Sequence, residues 1–227
     1  MVSITWLGHS AFLIRLDGHK ILVDPWLSNP MAPKEKPPLN DVELIVVTHG
    51  HSDHVGEAID IMKTSQAKLV TIYDLMNYLI QQGADPKRVI GGNIGGPMRT
   101  GIGNIRIALT PATHSSPVGS PVGVVLIGDE ATIYHAGDTG VTMDMQLIGE
   151  LYKPDIALLP IGGHFTMDPR EAAYAVKLLK PKVVIPMHYG TFPVLYGTPE
   201  EFKKEIEKLK LDVKVVVLKP GETYTPE

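Results

Sequence analysis

Short apolar runs and stretches of helical spacing follow one another along this chain in an order that occurs twice. Residues 3–7, 11–16 and 20–24 read as three short strands, with Asp17-Gly18 as a turn signal between the second and third. They predict an antiparallel meander, continuous with a fourth run, Leu44-Ile45-Val46-Val47, whose β-branched composition suits a buried strand. From Val55 to Met62 apolar residues fall at helical spacing. The chain then alternates: helix 57–65, strand 68–72, helix 73–83. Gly91-Gly92-Asn93-Ile94-Gly95-Gly96 lacks the spacing of a phosphate-binding loop and predicts a flexible turn into strand 104–110. A second meander, 104–110, 122–128 and 131–136, turns at Gly128-Asp129. Helix 143–152, strand 155–159, helix 170–179, strand 182–186, helix 199–209 and strand 213–218 follow. Two halves of this kind predict an α/β protein with two mixed sheets packed face to face and helices outside, in a single domain spanning 1–227.

Two helix starts carry acids that capping explains. Asp168-Pro169-Arg170-Glu171 combines an N-cap Asp, Pro at the first helical position and Glu at the third, and Thr198-Pro199-Glu200-Glu201 repeats the device. Residues 25–41 show no period and carry five prolines together with Lys34 and Lys36. A stretch this long reads equally as a passive surface loop or as a lid.

Composition narrows the chemistry. The 227 residues suit one domain with a large core, and 44% hydrophobic content with 20% charge describes an ordinary globular chain. Net charge is −4 and the basic residues are scattered, which argues against nucleic acid as a partner. No stretch approaches the ~20 apolar residues of a membrane span, and the N-terminus lacks a basic segment before an apolar core; the expected location is the cytoplasm. Cysteine is absent, so disulfides, thiolate ligands and thiol nucleophiles are excluded and any metal site must use nitrogen and oxygen.

Such a site is offered by Thr48-His49-Gly50-His51-Ser52-Asp53-His54, on the turn between the fourth strand and the following helix. Open α/β sheets bind ligands outside the carboxyl ends of their strands, where this turn lies. In an extended segment residues i and i+2 point the same way, so His49 and His51 converge on one ion, while Asp53 and His54, after the chain turns, reach a second. Imidazole with a hard carboxylate suits zinc or manganese among other divalent ions.

His-x-His-x-Asp-His after an apolar strand resembles the signature of the metallo-β-lactamase superfamily. Downstream stand His114 in Thr113-His114-Ser115-Ser116, Asp138 in Ala136-Gly137-Asp138-Thr139, and His188 in Ile185-Pro186-Met187-His188-Tyr189-Gly190, in the order that superfamily uses. The opening Trp6-Leu7-Gly8-His9-Ser10-Ala11-Phe12 is similar to the start of an uncharacterised metal-dependent hydrolase family, related to ascorbate-6-phosphate lactonase and N-acylphosphatidylethanolamine phospholipase D. The resemblance spans Trp6 to Lys219. It implies a four-layer αββα sandwich and a dinuclear hydrolase. It assigns His49, His51 and His114 to one ion, Asp53, His54 and His188 to the other, and Asp138 to the bridge. In this reading the ions lower the pKa of a shared water from 15.7 to about 7, and Asp53 orients the resulting hydroxide.

Around these ligands, Asp24 is expected to fix a ligating imidazole from beneath. The resemblance places His9 beside the metals, as a supporting or substrate group. His135 reads either as a support of the site or as a core histidine. His164, Phe165 and Thr166 are expected to line the substrate pocket. Lys34 and Lys36 on the 25–41 loop point to a small anionic substrate: an ester, a phosphodiester or a sugar-phosphate lactone. Two alternatives stand beside hydrolysis. A di-iron redox protein of the same fold typically has glutamate at the position of His51 and a flavin domain, and this chain has neither. A metal-binding protein without turnover is opposed by all seven ligand positions being filled.

Overall fold

The computed structural model describes residues 1–226, and the alternation of side chains along its strands explains its layers. The first sheet contains β1 (Ser3–Trp6), β2 (Phe12–Leu16), β3 (His19–Val23), β4 (Leu44–Val46), β5 (Lys68–Ile72), β6 (Val89–Gly92) and β14 (Thr223–Tyr224), in the order β14-β1-β2-β3-β4-β5-β6. The second contains β7 (Met98–Arg99), β8 (Arg106–Pro111), β9 (Val122–Ile127), β10 (Thr132–His135), β11 (Ile156–Pro160), β12 (Val183–Met187) and β13 (Lys214–Val215), in the order β13-β12-β11-β10-β9-β8-β7. In the second sheet Ile107, Leu109, Val124, Leu126, Ile133 and Leu158 face the core shared with the first sheet. Their neighbours Ala108, Val125, Tyr134, Ala157 and Leu159 face the other way, onto α4 (Asp144–Tyr152), α5 (Pro169–Leu179) and α6 (Pro199–Lys208). Such alternation is the signature of a strand buried on both faces between two layers. On the first sheet, α2 (Ala58–Thr64) and α3 (Tyr73–Gln81) bury Ala58, Ile61, Leu75 and Leu79. Two mixed sheets flanked by helices form the αββα sandwich.

The structure corrects several local expectations. The motif strand β4 does not extend the antiparallel meander: it pairs parallel with β3, as Leu22 opposite Ile45 shows, because the 25–41 segment carries the chain back across the sheet before β4 begins. Gly91 to Gly96 is not a plain turn. Gly91 and Gly92 close β6 at the edge of the first sheet, and the chain then crosses to β7 at the edge of the second. The helix after the motif is split into a single turn, α1 (Ser52–Val55), and α2, and the last predicted strand shortens to Lys214–Val215. The split falls at Gly56, where φ is +45° and a Cβ would lie 2.3 Å from the Pro25 carbonyl oxygen. This close approach pins the start of the 25–41 loop to the end of α1, helped by the Glu57 N–H donating to that same carbonyl. Both predicted capping boxes form, at Asp168 with Glu171 and at Thr198 with Glu201.

Candidate metal centre

Every candidate ligand follows the carboxyl end of a strand. His49 to His54 follow β4, His114 follows β8, Asp138 follows β10 and His188 follows β12. Both sheets present these ends at the same edge of the sandwich, where backbone and side-chain links hold them together. The His188 N–H donates to the His9 carbonyl, which also accepts from Trp6 Nε1 at 2.9 Å. His135 Nε2 donates to the Ser10 carbonyl at 2.9 Å, and its Nδ1 accepts from the Gly137 N–H at 3.1 Å. His135 thus ties the β1–β2 loop to the backbone beside Asp138, through hydrogen bonds to backbone groups.

The ligand atoms gather in overlapping groups whose members lie within 4.8 Å of one another: His49, His51 and His114; His9, Asp53, His54 and His188; and His49, His54 and Asp138. Asp138 stands between the histidines of both sides. Its Oδ1 is 3.2 Å from His54 Nε2, and its Oδ2 is 3.0 Å from His188 Nε2 and 3.5 Å from His114 Nε2. His49 Nε2 and His51 Nδ1 meet at 2.9 Å, as expected for two nitrogens aimed at one point.

Asp24 sets the tautomers. It is fully buried and accepts three hydrogen bonds: from His54 Nδ1 at 2.7 Å, from the Thr48 N–H at 2.8 Å and from Thr48 Oγ1 at 2.7 Å. Since the Thr48 hydroxyl proton goes to Asp24, its oxygen accepts from His49 Nδ1 at 3.0 Å. One carboxylate therefore fixes His54 directly and His49 through Thr48, leaving both Nε2 atoms free to ligate. His9 plays a parallel part: Nδ1 contacts Thr191 Oγ1 at 2.6 Å and Nε2 contacts Asp53 Oδ2 at 3.1 Å. Three of these residues occupy left-handed backbone conformations at strand ends, His9 at φ 51°, Asp24 at 46° and His188 at 54°. A Cβ on Gly162 would lie 2.1 Å from the His188 carbonyl oxygen, so β11 can approach that turn only with glycine there.

Electrostatics follow from burial among unlike charges. Burial lowers the His9 pKa to about 4 and that of His49 to about 3, keeping both imidazoles neutral. His54 is opposite in direction: burial works against its charge, but Asp138 and Asp24 on either side raise its pKa well above the usual value. Burial likewise works against the charge on Asp138, yet His188 and His54 hold its carboxyl far below the usual range. For Asp53, burial is outweighed by the hydrogen bond from His9 and by the charge of His54, and its pKa is lowered.

The donor set fits divalent ions. His188 Nδ1 is buried without a hydrogen-bond partner, a condition that costs about 1–3 kcal/mol unless something else satisfies it. His54 Nε2 and Asp138 Oδ1 face each other across 3.2 Å, an ion pair while His54 is protonated and two donor atoms for an ion once it is not. Neutral imidazoles and ionised carboxylates, with no thiol, are the donors that zinc or manganese accept.

Above this floor opens a cavity of about 600 Å³. His51, Asp53, His114, Asp138 and His188 form its base. Its walls are Trp26, Phe165, Phe192 and Val194, with Ser52 and Ser115 beside them. Of the three predicted pocket residues after β11, only Phe165 lines it. His164 is exposed, its ring turned against Phe165, and Thr166 is buried beneath. Lys34 and Lys36 do not line the cavity either; both are exposed, and Lys36 borders a separate recess with Leu7, Leu27 and Pro37. Pro33 and Pro37 line that recess with Lys36, and so placed the two lysines lend no support to an anionic substrate. Sequence reasoning passed over Trp26, Phe192, Val194, Thr48 and Thr191. Proximity to ligands was the available signal: Trp26 stands two residues after Asp24, and Thr191 and Phe192 stand within four of His188.

Comparison with known proteins shows the family to which the chain belongs. A family model described as a beta-lactamase superfamily domain matches residues 3–188. A UPF0173 metal-dependent hydrolase of Hyperthermus butylicus is 54% identical, over 99% of each chain. One of Aeropyrum pernix is 53% identical, over 99% of this chain and 97% of the other. Among solved structures, Igni18, a metallo hydrolase from the hyperthermophilic archaeon Ignicoccus hospitalis, superposes with a TM-score of 0.90 at 48% identity, covering 100% of this chain and 98% of that one. The chain belongs to the metallo-β-lactamase superfamily and is a metal-dependent hydrolase. No helix among the described residues is long and apolar enough to cross a membrane.

Proposed function

We propose that this hydrolase works with two divalent ions, zinc or manganese, and cleaves an ester-like bond in a small molecule. The observation that carries the reading is the position of Asp138, whose two oxygens lie within 3.0–3.5 Å of ring nitrogens from both histidine groups. Two adjacent cations repel, and a carboxylate between them offsets that repulsion.

His49, His51 and His114 would hold one ion; Asp53, His54 and His188 the other; Asp138 both. When bound, the ions supply an ionised water at neutral pH and a Lewis acid for the oxygen that gains charge. Asp53 is the catalytic carboxylate: ionised and fixed by His9 Nε2, it accepts a hydrogen bond from the attacking water and orients it. Thr191 holds the His9 ring and thereby fixes Asp53. Asp24 keeps the Nδ1 protons of His54 and, through Thr48, of His49 on the side away from the ligands.

Elemental analysis of protein purified without chelators, paired with hydrolysis of a panel of small esters and lactones after metal reloading, tests the proposal. About two ions per chain and metal-dependent turnover are expected. A folded protein that takes up no transition metal would overturn it.

A further inference from the structure

We infer that the non-reacting part of the substrate is a neutral, flat, apolar group that lies against Trp26 and Phe192, and that these two side chains set specificity. The inference rests on the hydrolase reading above and names the substrate class for that site.

The two rings are stacked, with centroids 5.8 Å apart and planes 22° from parallel. Both meet His9 edge-on, at 5.1 Å and 89° for Trp26 and at 5.4 Å and 76° for Phe192. His9 also bonds Asp53, so the wall has a fixed position relative to the carboxylate proposed to orient the water. A flat group laid on this wall would be registered against the reacting bond by contacts that do not change during reaction.

The opposite choice, a charged group, has no support. Among the described residues no lysine or arginine lines the cavity, and its charged side chains are Asp53 and Asp138 with the histidines. A substrate anion placed against the wall would leave water and meet aromatic and aliphatic carbon with no cationic side chain, the Trp26 indole N–H being a neutral donor. At the mouth, Phe165 is 49% exposed and Val194 45% exposed, so the apolar surface continues outward from the wall. Large side chains of this kind left open beside a polar floor are the usual composition of a small-molecule site. Ser52 and Ser115 add neutral hydroxyls only.

The test uses the full chain with and without metal. Binding of benzamide and of benzoate to the metal-free chain is followed by ligand-observed NMR, where no ion can coordinate the carboxylate. In parallel, kcat/KM is measured on metal-loaded protein for phenyl acetate and 4-acetoxybenzoate. Benzamide should bind about tenfold more tightly than benzoate, and phenyl acetate should be favoured over the carboxylated ester by a similar factor. Phe192→Ala should weaken benzamide about tenfold and raise KM for phenyl acetate with little change in kcat, and Phe192→Leu should recover part of the loss. Benzoate binding as well as benzamide, or both Phe192 variants leaving the preference intact, would overturn the inference. Benzamide binding that depends on Phe192, without turnover of any ester, would uphold the wall and count against the proposed ester chemistry instead.

Discussion

The two ligand groups at the edge of the sandwich are built differently. In the group of His9, Asp53, His54 and His188, the three histidines are buried and two have their second nitrogen held, His54 by Asp24 and His9 by Thr191. In the group of His49, His51 and His114, only His49 is buried and anchored; the other two are partly exposed and open onto the cavity. More of the first group is buried and held by hydrogen bonds to its surroundings than of the second. Preorganised ligands lose less freedom on binding, so the enclosed side should hold its ion more tightly and the open side should exchange.

Asp138→Ala is expected to have the largest effect, because in the proposed centre it abolishes the contrast: both sides would lose a shared ligand. Turnover should fall by orders of magnitude, and metal content measured by elemental analysis should drop below two. Retention of both ions would remove Asp138 from the bridge. Asp24→Asn comes next and sharpens the comparison. It should weaken the enclosed site by about 10–100-fold in chelator competition, while the open site, which depends on Asp24 only through Thr48 and His49, loses less. Equal losses on both sides would mean that Asp24 supports the two groups alike.

A smaller effect separates the sides by protons. The raised pKa of His54 means that it carries a proton at pH 7 without metal, and this stabilisation of the metal-free fold is complete below the ordinary histidine pKa of 6.5 and is lost as pH rises through the raised value. His49 and His114 have lowered values and are already neutral. Filling the enclosed side at pH 7 should therefore release more protons than filling the open side, by the one that His54 gives up, which calorimetry in buffers of different ionisation enthalpy would measure. Identical proton release for both steps would contradict the assignment. Least affected should be Asp168→Ala, remote from both sides. Loss of that N-cap should cost about 1 kcal/mol in denaturant unfolding and leave metal content unchanged; a change in metal content would show that the helix cap matters to the site.

Much of this arrangement was legible in the chain because strand ends and ligand residues coincide. The apolar run Leu44 to Val47 announces a strand, and four ligand-type residues crowd the turn after it. His114, Asp138 and His188 stand out only through the order that the family resemblance implies, each just after a predicted strand. What stayed hidden depends on neighbours that a segment does not specify. Nothing in Leu44-Ile45-Val46 states that its partner β3 runs parallel. The edge strands β6, β7 and β14 are too short, and in β6 too rich in glycine, to give a period. His135, read within a strand, and His164, read in a loop, leave their roles open as sequence; one bonds across the two sheets and the other faces solvent. Trp26 and Phe192 lie 166 positions apart, and only the folded chain stacks them.

The left-handed turns at His9, Asp24 and His188 bear on how this protein could change. Residues with side chains are held there at a cost of order 1–3 kcal/mol each, which glycine would largely avoid. All three belong to the enclosed side of the centre. The fold is therefore in tension with its own chemistry at the place where that chemistry is most tightly organised. A lineage released from catalysis could relax its backbone by drifting toward glycine at these positions, while one kept under selection for turnover must retain the tension and make up its stability elsewhere.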